Sequence, residues 1–171
     1  MLDLAGEILT GDPMYSYTNE HMERGKGQEA EARALYALVT GSKPEKVGFI
    51  LSDDGKTGCS PDSLIGKNGA LEIKSALPRI LFEHLLAGEL PSEHKPQAQG
   101  ILWITEREWI DLAVYSSARL PLFKLRIARD EEYIKALALA VSVFNHELDS
   151  AVEEIRRIGA PAAKGAKRKG K

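Results

Sequence analysis

The sequence predicts an α/β (α+β) fold: a central mixed β-sheet flanked by helices. Three observations point there. Helical apolar periodicity runs over residues 18–40 and 130–157, short strand-like segments cluster at 47–74 and 109–128, and two helical stretches at 78–87 and 95–105 separate the strand groups. A chain of 171 residues can bury a real core, and 43% apolar with 28% charged residues is ordinary for a soluble globular protein. A single domain is expected over residues 1–158, followed by a basic tail at 159–171 whose small, polar composition predicts disorder.

The elements follow in order. Leu2, Leu4, Ala5, Ile8 and Leu9 suggest a short helix stopped by Gly11-Asp12-Pro13. The helix at 18–40 has Thr18 or Asn19 as cap, Glu20 and Glu23 at the positive end of its dipole, and Gly41 as its stop. Ala30, Ala34, Leu35, Leu38 and Val39 form its expected apolar face. Val47 to Leu51 reads as a strand, Asp53-Asp54-Gly55 as a turn, and Thr57 to Ser60 as the return. Ser63 to Ile65 and Ala70 to Lys74 are strands joined through Gly66-Lys67-Asn68-Gly69. Pro78 opens a helix reaching Ala87. The helix at 95–105 sets Gln97, Ile101 and Ile104 on neighbouring turns. Trp109 to Tyr115 and Phe123 to Ala128 are two further strands. The final helix, 130–157, carries Leu137, Val141, Phe144, Leu148 and Ile155 as its expected buried stripe.

Composition excludes several classes. Cys59 is the single cysteine, which rules out an internal disulfide framework and a Cys-rich zinc site. His21, His84, His94 and His146 do not have zinc-ligand spacing. No apolar run is long enough to span a bilayer and no secretory leader opens the chain, so a cytoplasmic location without membrane partners is expected. The net charge of −2 hides an asymmetry. Five basic residues (Lys164, Lys167, Arg168, Lys169, Lys171) lie in the last eight positions; without them 18 basic residues face 25 acidic ones, a formal −7. A body that acidic is no blanket binder of nucleic acid, so any action on DNA needs local basic groups or metal ions.

Residues 58–74, GCSPDSLIGKNGALEIK, carry the chemistry. Residues two apart on a strand share a face, so Glu72 and Lys74 project together while Ile73 points into the core and leaves its carbonyl as a neutral ligand. The connection through Gly66 to Gly69 brings Asp62 beside Glu72. Two carboxylates that close repel each other unless a cation neutralises them, and Mg2+, a hard ion, takes oxygen ligands. A neighbouring lysine can orient or deprotonate water, or neutralise charge developing on a phosphate. Those parts suit phosphodiester cleavage. The bland alternative is a solvated Glu-x-Lys on an exposed strand, a common pattern; the apolar frame of Leu64, Ile65, Leu71 and Ile73 weighs against it, since unpaired charge on semi-buried strands is costly.

Four segments are collinear with one family. MERGKGQEAEAR at 22–33, GCSPDSLIGKNGALEIK at 58–74, HKPQAQGILWIT at 94–105 and WIDLAVYSS at 109–117 together resemble the lambda-exonuclease / YqaJ-type viral recombinase family of the PD-(D/E)xK nuclease superfamily, over about residues 20–157. The resemblance implies a restriction-endonuclease-like core and a Mg2+ cofactor, with Mn2+ as substitute. It implies Asp62, Glu72 and the Ile73 carbonyl as metal ligands, Lys74 as the catalytic lysine, and Glu29 as an additional acid assisting the metal. Gln99 matches a glutamine at the active site, with Gln97 as its helical neighbour on the DNA side. Ser60 matches a residue that contacts a DNA 5′-phosphate. Arg24 and Lys26, which flank Gly25, are added here as candidate phosphate contacts.

The implied activity is 5′-to-3′ exonuclease digestion of linear double-stranded DNA, leaving 3′ overhangs for phage-type recombination by strand annealing. The implied partners are duplex DNA, a single-strand annealing protein and further copies in a ring-shaped trimer, in a bacterial host or encoded by a phage. Relatives begin with an Arg/Gly/Thr/Ser-rich phosphate motif, and this sequence starts at about the helix after it, so polarity and processivity stay open. Two alternatives also stay open: a structure-specific or end-repair endonuclease with the same site, and a noncatalytic DNA-binding scaffold.

Overall fold

A computed structural model describes residues 1–13, 20–89 and 92–159, and only the backbone of residues 20–26 and 159. The cap expected at Thr18 or Asn19 and the basic tail from 160 onward lie outside the described residues. The chain forms two compact units, Tyr17–Leu139 and Met1–Ser16 with Ala140–Lys171.

The larger unit holds a five-stranded sheet. Its strands are β1 (Pro44–Glu45), β4 (Ser63–Ile65), β5 (Gly69–Ser75), β6 (Trp109–Tyr115) and β7 (Phe123–Ala128), in the spatial order β1-β4-β5-β6-β7. The β5/β6 pair is parallel and the other pairs are antiparallel, so the sheet is mixed as expected. Parallel neighbours need a crossover, and α3 (Pro78–Ala87), a 3-10 turn (Ser92–His94) and α4 (Lys95–Thr105) supply it. A separate hairpin pairs β2 (Ile50–Leu51) with β3 (Gly58–Cys59).

Period-two alternation divides the central strands between two faces. Leu71, Ile73, Ala113 and Tyr115 pack with Ala32 and Tyr36 of α2 (Glu20–Thr40). On the opposite face Ala70 and Ile110 pack with Ala98, Ile101 and Leu102 of α4 and with Ile134 of α5 (Glu131–Gly159). Val114 and Phe123 bury against Leu81 of α3. The β4–β5 turn is fixed from outside, where the Arg107 guanidinium donates to the carbonyls of Gly66 and Gly69, both at 2.8 Å. Gly69 has to be glycine, since an added Cβ would lie 2.3 Å from the Trp109 ring.

The smaller unit places α1 (Leu2–Thr10) against α5, with Ala5, Leu9, Leu148 and Val152 as its core. Gly11 closes α1 in the left-handed region at φ 76°.

Several expected details are corrected. The strand expected over Val47–Leu51 shrinks to Ile50–Leu51, and the return over Thr57–Ser60 to Gly58–Cys59. The edge of the main sheet is instead Pro44–Glu45, where a proline needs no ladder partner for a missing N–H. The buried face of α2 is Ala32 and Tyr36 with Leu35 alongside; Leu38 and Val39 are 81% and 55% exposed. The stripe expected from the sequence is the other one; the face that holds Tyr36 is the buried one, and the Tyr36 hydroxyl donates to buried Asp111 at 2.6 Å. On α5 the buried residues are Ile134, Leu148 and Val152, while Phe144 and Ile155 are more than a third exposed.

Candidate active site

The site sits where β4, β5 and α4 meet. Pro61 is buried just before β4 and brings Asp62 to the strand's start. Ser63 pairs with Leu71, and one step further along the same ladder Asp62 lies beside Glu72 and Ile73. Its Oδ2 accepts the Ile73 N–H at 2.6 Å. In an extended strand a residue's N–H and C=O leave on the same edge, so the Ile73 carbonyl points to the side that Asp62 occupies.

Glu72 and Lys74 alternate away from Ile73 and face α4. Lys74 Nζ donates to Glu72 Oε1 at 2.9 Å and to Gln97 Oε1 at 2.7 Å, and Gln97 Nε2 donates to the same Glu72 Oε1 at 2.7 Å. The three side chains form a closed ring of hydrogen bonds. Glu72 is only 7% exposed, and its second oxygen, Oε2, is buried with no hydrogen-bond partner among the described residues.

Electrostatics disfavour ionisation of both acids. Burial pushes the Glu72 carboxyl above the ordinary carboxylate range, Asp62 pushes it further, and Lys74 and Gln97 offset only part. Asp62 is also raised, mainly by burial; the Ile73 N–H opposes this, the negative charge of Glu29 adds to it, and Lys74 and Arg33 oppose it. A buried carboxylate oxygen without a donor, beside a second raised carboxylate and a backbone carbonyl, is an oxygen-only donor set that fits a hard divalent cation. No group of three or more His, Cys, Asp or Glu side chains is arranged for a metal among the described residues.

Glu29 reaches this site from α2. Its carboxylate pairs with Arg33 one turn on, and Lys46 Nζ lies 3.8 Å away. Ser60 is exposed, directly before the buried Pro61. The side chains of Arg24 and Lys26 lie outside the described ones.

Gln99 is placed elsewhere. Its Nε2 donates to the Ala128 carbonyl and its Oε1 accepts from the Asp130 N–H, both at 2.9 Å, and it is 1% exposed. It ties α4 to the β7–α5 connection, so the glutamine that meets Glu72 and Lys74 is Gln97. Two helical steps turn a side chain by about 200°, so these neighbours cannot serve one site.

Sequence reasoning missed four residues around the site. Arg33 Nε donates to Ser63 Oγ at 2.7 Å and its Nη2 to the Asp62 carbonyl at 3.2 Å. His94 has its imidazole pKa lowered by burial and then by Lys74. Cys59 has its thiol pushed up to about 11 by burial and by the charge of Glu72. The i, i+4 spacing of Glu29 and Arg33 was visible, but such pairs are usually surface decoration.

Comparisons with known proteins bear on the family and the fold. The model of the YqaJ-like viral recombinase domain matches residues 1–108. The chain belongs to that family. The alkaline exonuclease LHK-Exo from Laribacter hongkongensis is similar in structure, with 34% identity, a TM-score of 0.86, and coverage of 95% of this chain and 84% of that one. LHK-Exo in complex with dAMP is similar to the same degree, with a TM-score of 0.85. A phage-related exonuclease from Haemophilus somnus 129PT shares the fold at 17% identity and a TM-score of 0.65, covering 90% of this chain and 81% of that one. Among curated proteins no sequence matches. This YqaJ-family chain is a nuclease of the alkaline-exonuclease type.

Proposed function

We propose that this YqaJ-family chain is a Mg2+-dependent exonuclease that degrades linear double-stranded DNA from 5′ to 3′ and leaves 3′ overhangs for recombination by strand annealing. The observation that carries the metal dependence is the buried, unpartnered Oε2 of Glu72 beside Asp62. Asp62, Glu72 and the Ile73 carbonyl would hold the cation, with Mn2+ as substitute and Glu29 assisting from α2. When bound, such a cation supplies Lewis-acid polarisation of a phosphate and acidification of water.

The chain's own residues do the rest. Lys74, held between Glu72 and Gln97, presents an ammonium to the attacking water or to the charge that develops on the phosphate. Gln97 fixes the lysine and the glutamate in one geometry, which limits the reorganisation needed on the way to the transition state. Ser60, Arg24 and Lys26 are assigned to phosphate contacts along the DNA. Gln99, named for the site on resemblance, is here a tie within the scaffold. The dAMP bound by LHK-Exo supports a deoxynucleoside monophosphate as product. A trimeric ring and an annealing protein as partner rest on family resemblance; a monomeric solution mass would remove the ring. No helix among the described residues is long and apolar enough to cross a membrane, and the proposed substrate puts the enzyme inside a bacterial cell.

Digestion of end-labelled linear duplex and closed circular duplex in Mg2+ tests the function. The 5′-ended strands of linear DNA should be released as mononucleotides, leaving single-stranded 3′-ended DNA, while closed circles survive. Cleavage of closed circles would replace the exonuclease with an endonuclease at the same site.

A further inference from the structure

We propose that Arg33 is a positioning residue of the acid site, fixing the backbone that carries Asp62 while holding the Glu29 carboxylate next to it. This rests on the nuclease function proposed above. Arg33 leaves α2 and crosses to the start of β4, where its side chain is 15% exposed. Three of its donor directions are used. Nε donates to Ser63 Oγ at 2.7 Å, Nη2 to the Asp62 carbonyl at 3.2 Å, and Nη2 also to the Glu29 carboxylate. Ser63 is fully buried and its hydroxyl donates to the same Asp62 carbonyl at 2.5 Å. Guanidinium, hydroxyl and carbonyl thus close a small ring around the peptide of Asp62.

That ring complements the contact on the other side. The Asp62 side chain is held by the Ile73 N–H at 2.6 Å, and its main chain by Arg33 and Ser63. With both held, the carboxylate has little freedom to swing away from Glu72. The same guanidinium also holds the Glu29 carboxylate, whose charge acts on Asp62. The planar fork matters: a lysine carries the same charge but cannot offer these fixed, divergent N–H directions. Ligand-orienting partners of this kind typically change metal affinity or activity by roughly 10- to 100-fold.

The test uses the full chain as wild type, Arg33→Lys and Ser63→Ala, with Mn2+ as the probe. Mn2+ affinity is read by titration calorimetry, kcat and KM on linear duplex in Mg2+, and the melting temperature without metal. Arg33→Lys should melt within about 4 °C of wild type, bind Mn2+ roughly 10- to 100-fold more weakly and lose kcat by a similar factor, with KM for DNA unchanged. Ser63→Ala, which removes one of the two ties on the Asp62 carbonyl, should show a smaller loss in the same direction. Wild-type Mn2+ affinity and kcat in Arg33→Lys would overturn the proposal, as would a loss confined to melting temperature and KM. Should Arg33→Lys not fold, unchanged affinity and kcat in Ser63→Ala would overturn it alone. If the wild-type chain neither binds Mn2+ nor cuts DNA, the nuclease function fails first and this role goes with it.

Discussion

Lys74 is 30% exposed at its side chain, while the glutamate it touches is buried. One end of the pair is therefore open to a substrate and the other is fixed by the sheet. Lys74→Ala should cut linear duplex about 10²–10⁴-fold more slowly with an unchanged melting curve, since the ammonium supports chemistry and only a small part of the packing. Cleavage rate and thermal melt, measured on the same preparation, check both halves. The acids lead to a pH dependence of opposite sign for the empty and the loaded protein. Their carboxyls are raised in the fold from ordinary values of 3.8 and 4.5, so ionising them costs the metal-free protein stability as pH climbs from there. A divalent cation binds the ionised pair and reverses that cost. Melting with and without saturating Mg2+ from pH 5 to pH 8 should show a stabilisation that grows with pH, reaching about 2.7 kcal/mol at a hundredfold excess over Kd. It should vanish in Asp62→Asn.

At the scale of elements, α4 divides its labour between two glutamines on different faces. Gln97 holds Lys74 and Glu72, whereas Gln99 satisfies the backbone of Ala128 and Asp130. Gln97→Ala should lower kcat and leave the melt intact. Gln99→Leu should do the reverse, destabilising by about 1–3 kcal/mol for each backbone group left unpaired; chemical denaturation beside steady-state rates separates them. On β5, Gly69→Ala should cost roughly 1–3 kcal/mol, because its methyl meets the Trp109 ring, and urea unfolding reads that directly.

These elements also mark what the sequence could convey. Strands β4 to β7 and helices α3 and α4 were legible because period and turn residues agreed, and the Glu72–Lys74 face followed from strand alternation alone. The buried side of α2 was not legible, because it depends on Tyr36 meeting Asp111, 75 residues away. Gln99 and Gln97 were hard to tell apart because a linear motif gives spacing but not which face a sheet covers. The bond from Arg33 to Ser63 joins α2 to β4 across 30 residues, and nothing local announces it.

For the whole molecule, the crossover between β5 and β6 sets the site's position. The parallel pairing of those strands forces α3 and α4 onto one face, and that face is the one Glu72 and Lys74 point to. The site is built entirely inside the unit Tyr17–Leu139. Family membership and the likeness to LHK-Exo make the chain a nuclease. On the proposed function, a bound cation and a few local basic groups would supply the attraction that the formal charge denies.

The central claim is that Asp62 and Glu72 share one divalent cation. Its most direct test is calorimetric titration of Mn2+ into the folded, metal-stripped chain and into folded Glu72→Gln. The wild type should bind saturably and release protons when the titration is run within the raised carboxylate range, and the variant should lose most of that affinity. Equal binding by the two proteins, or none by the wild type, would contradict it.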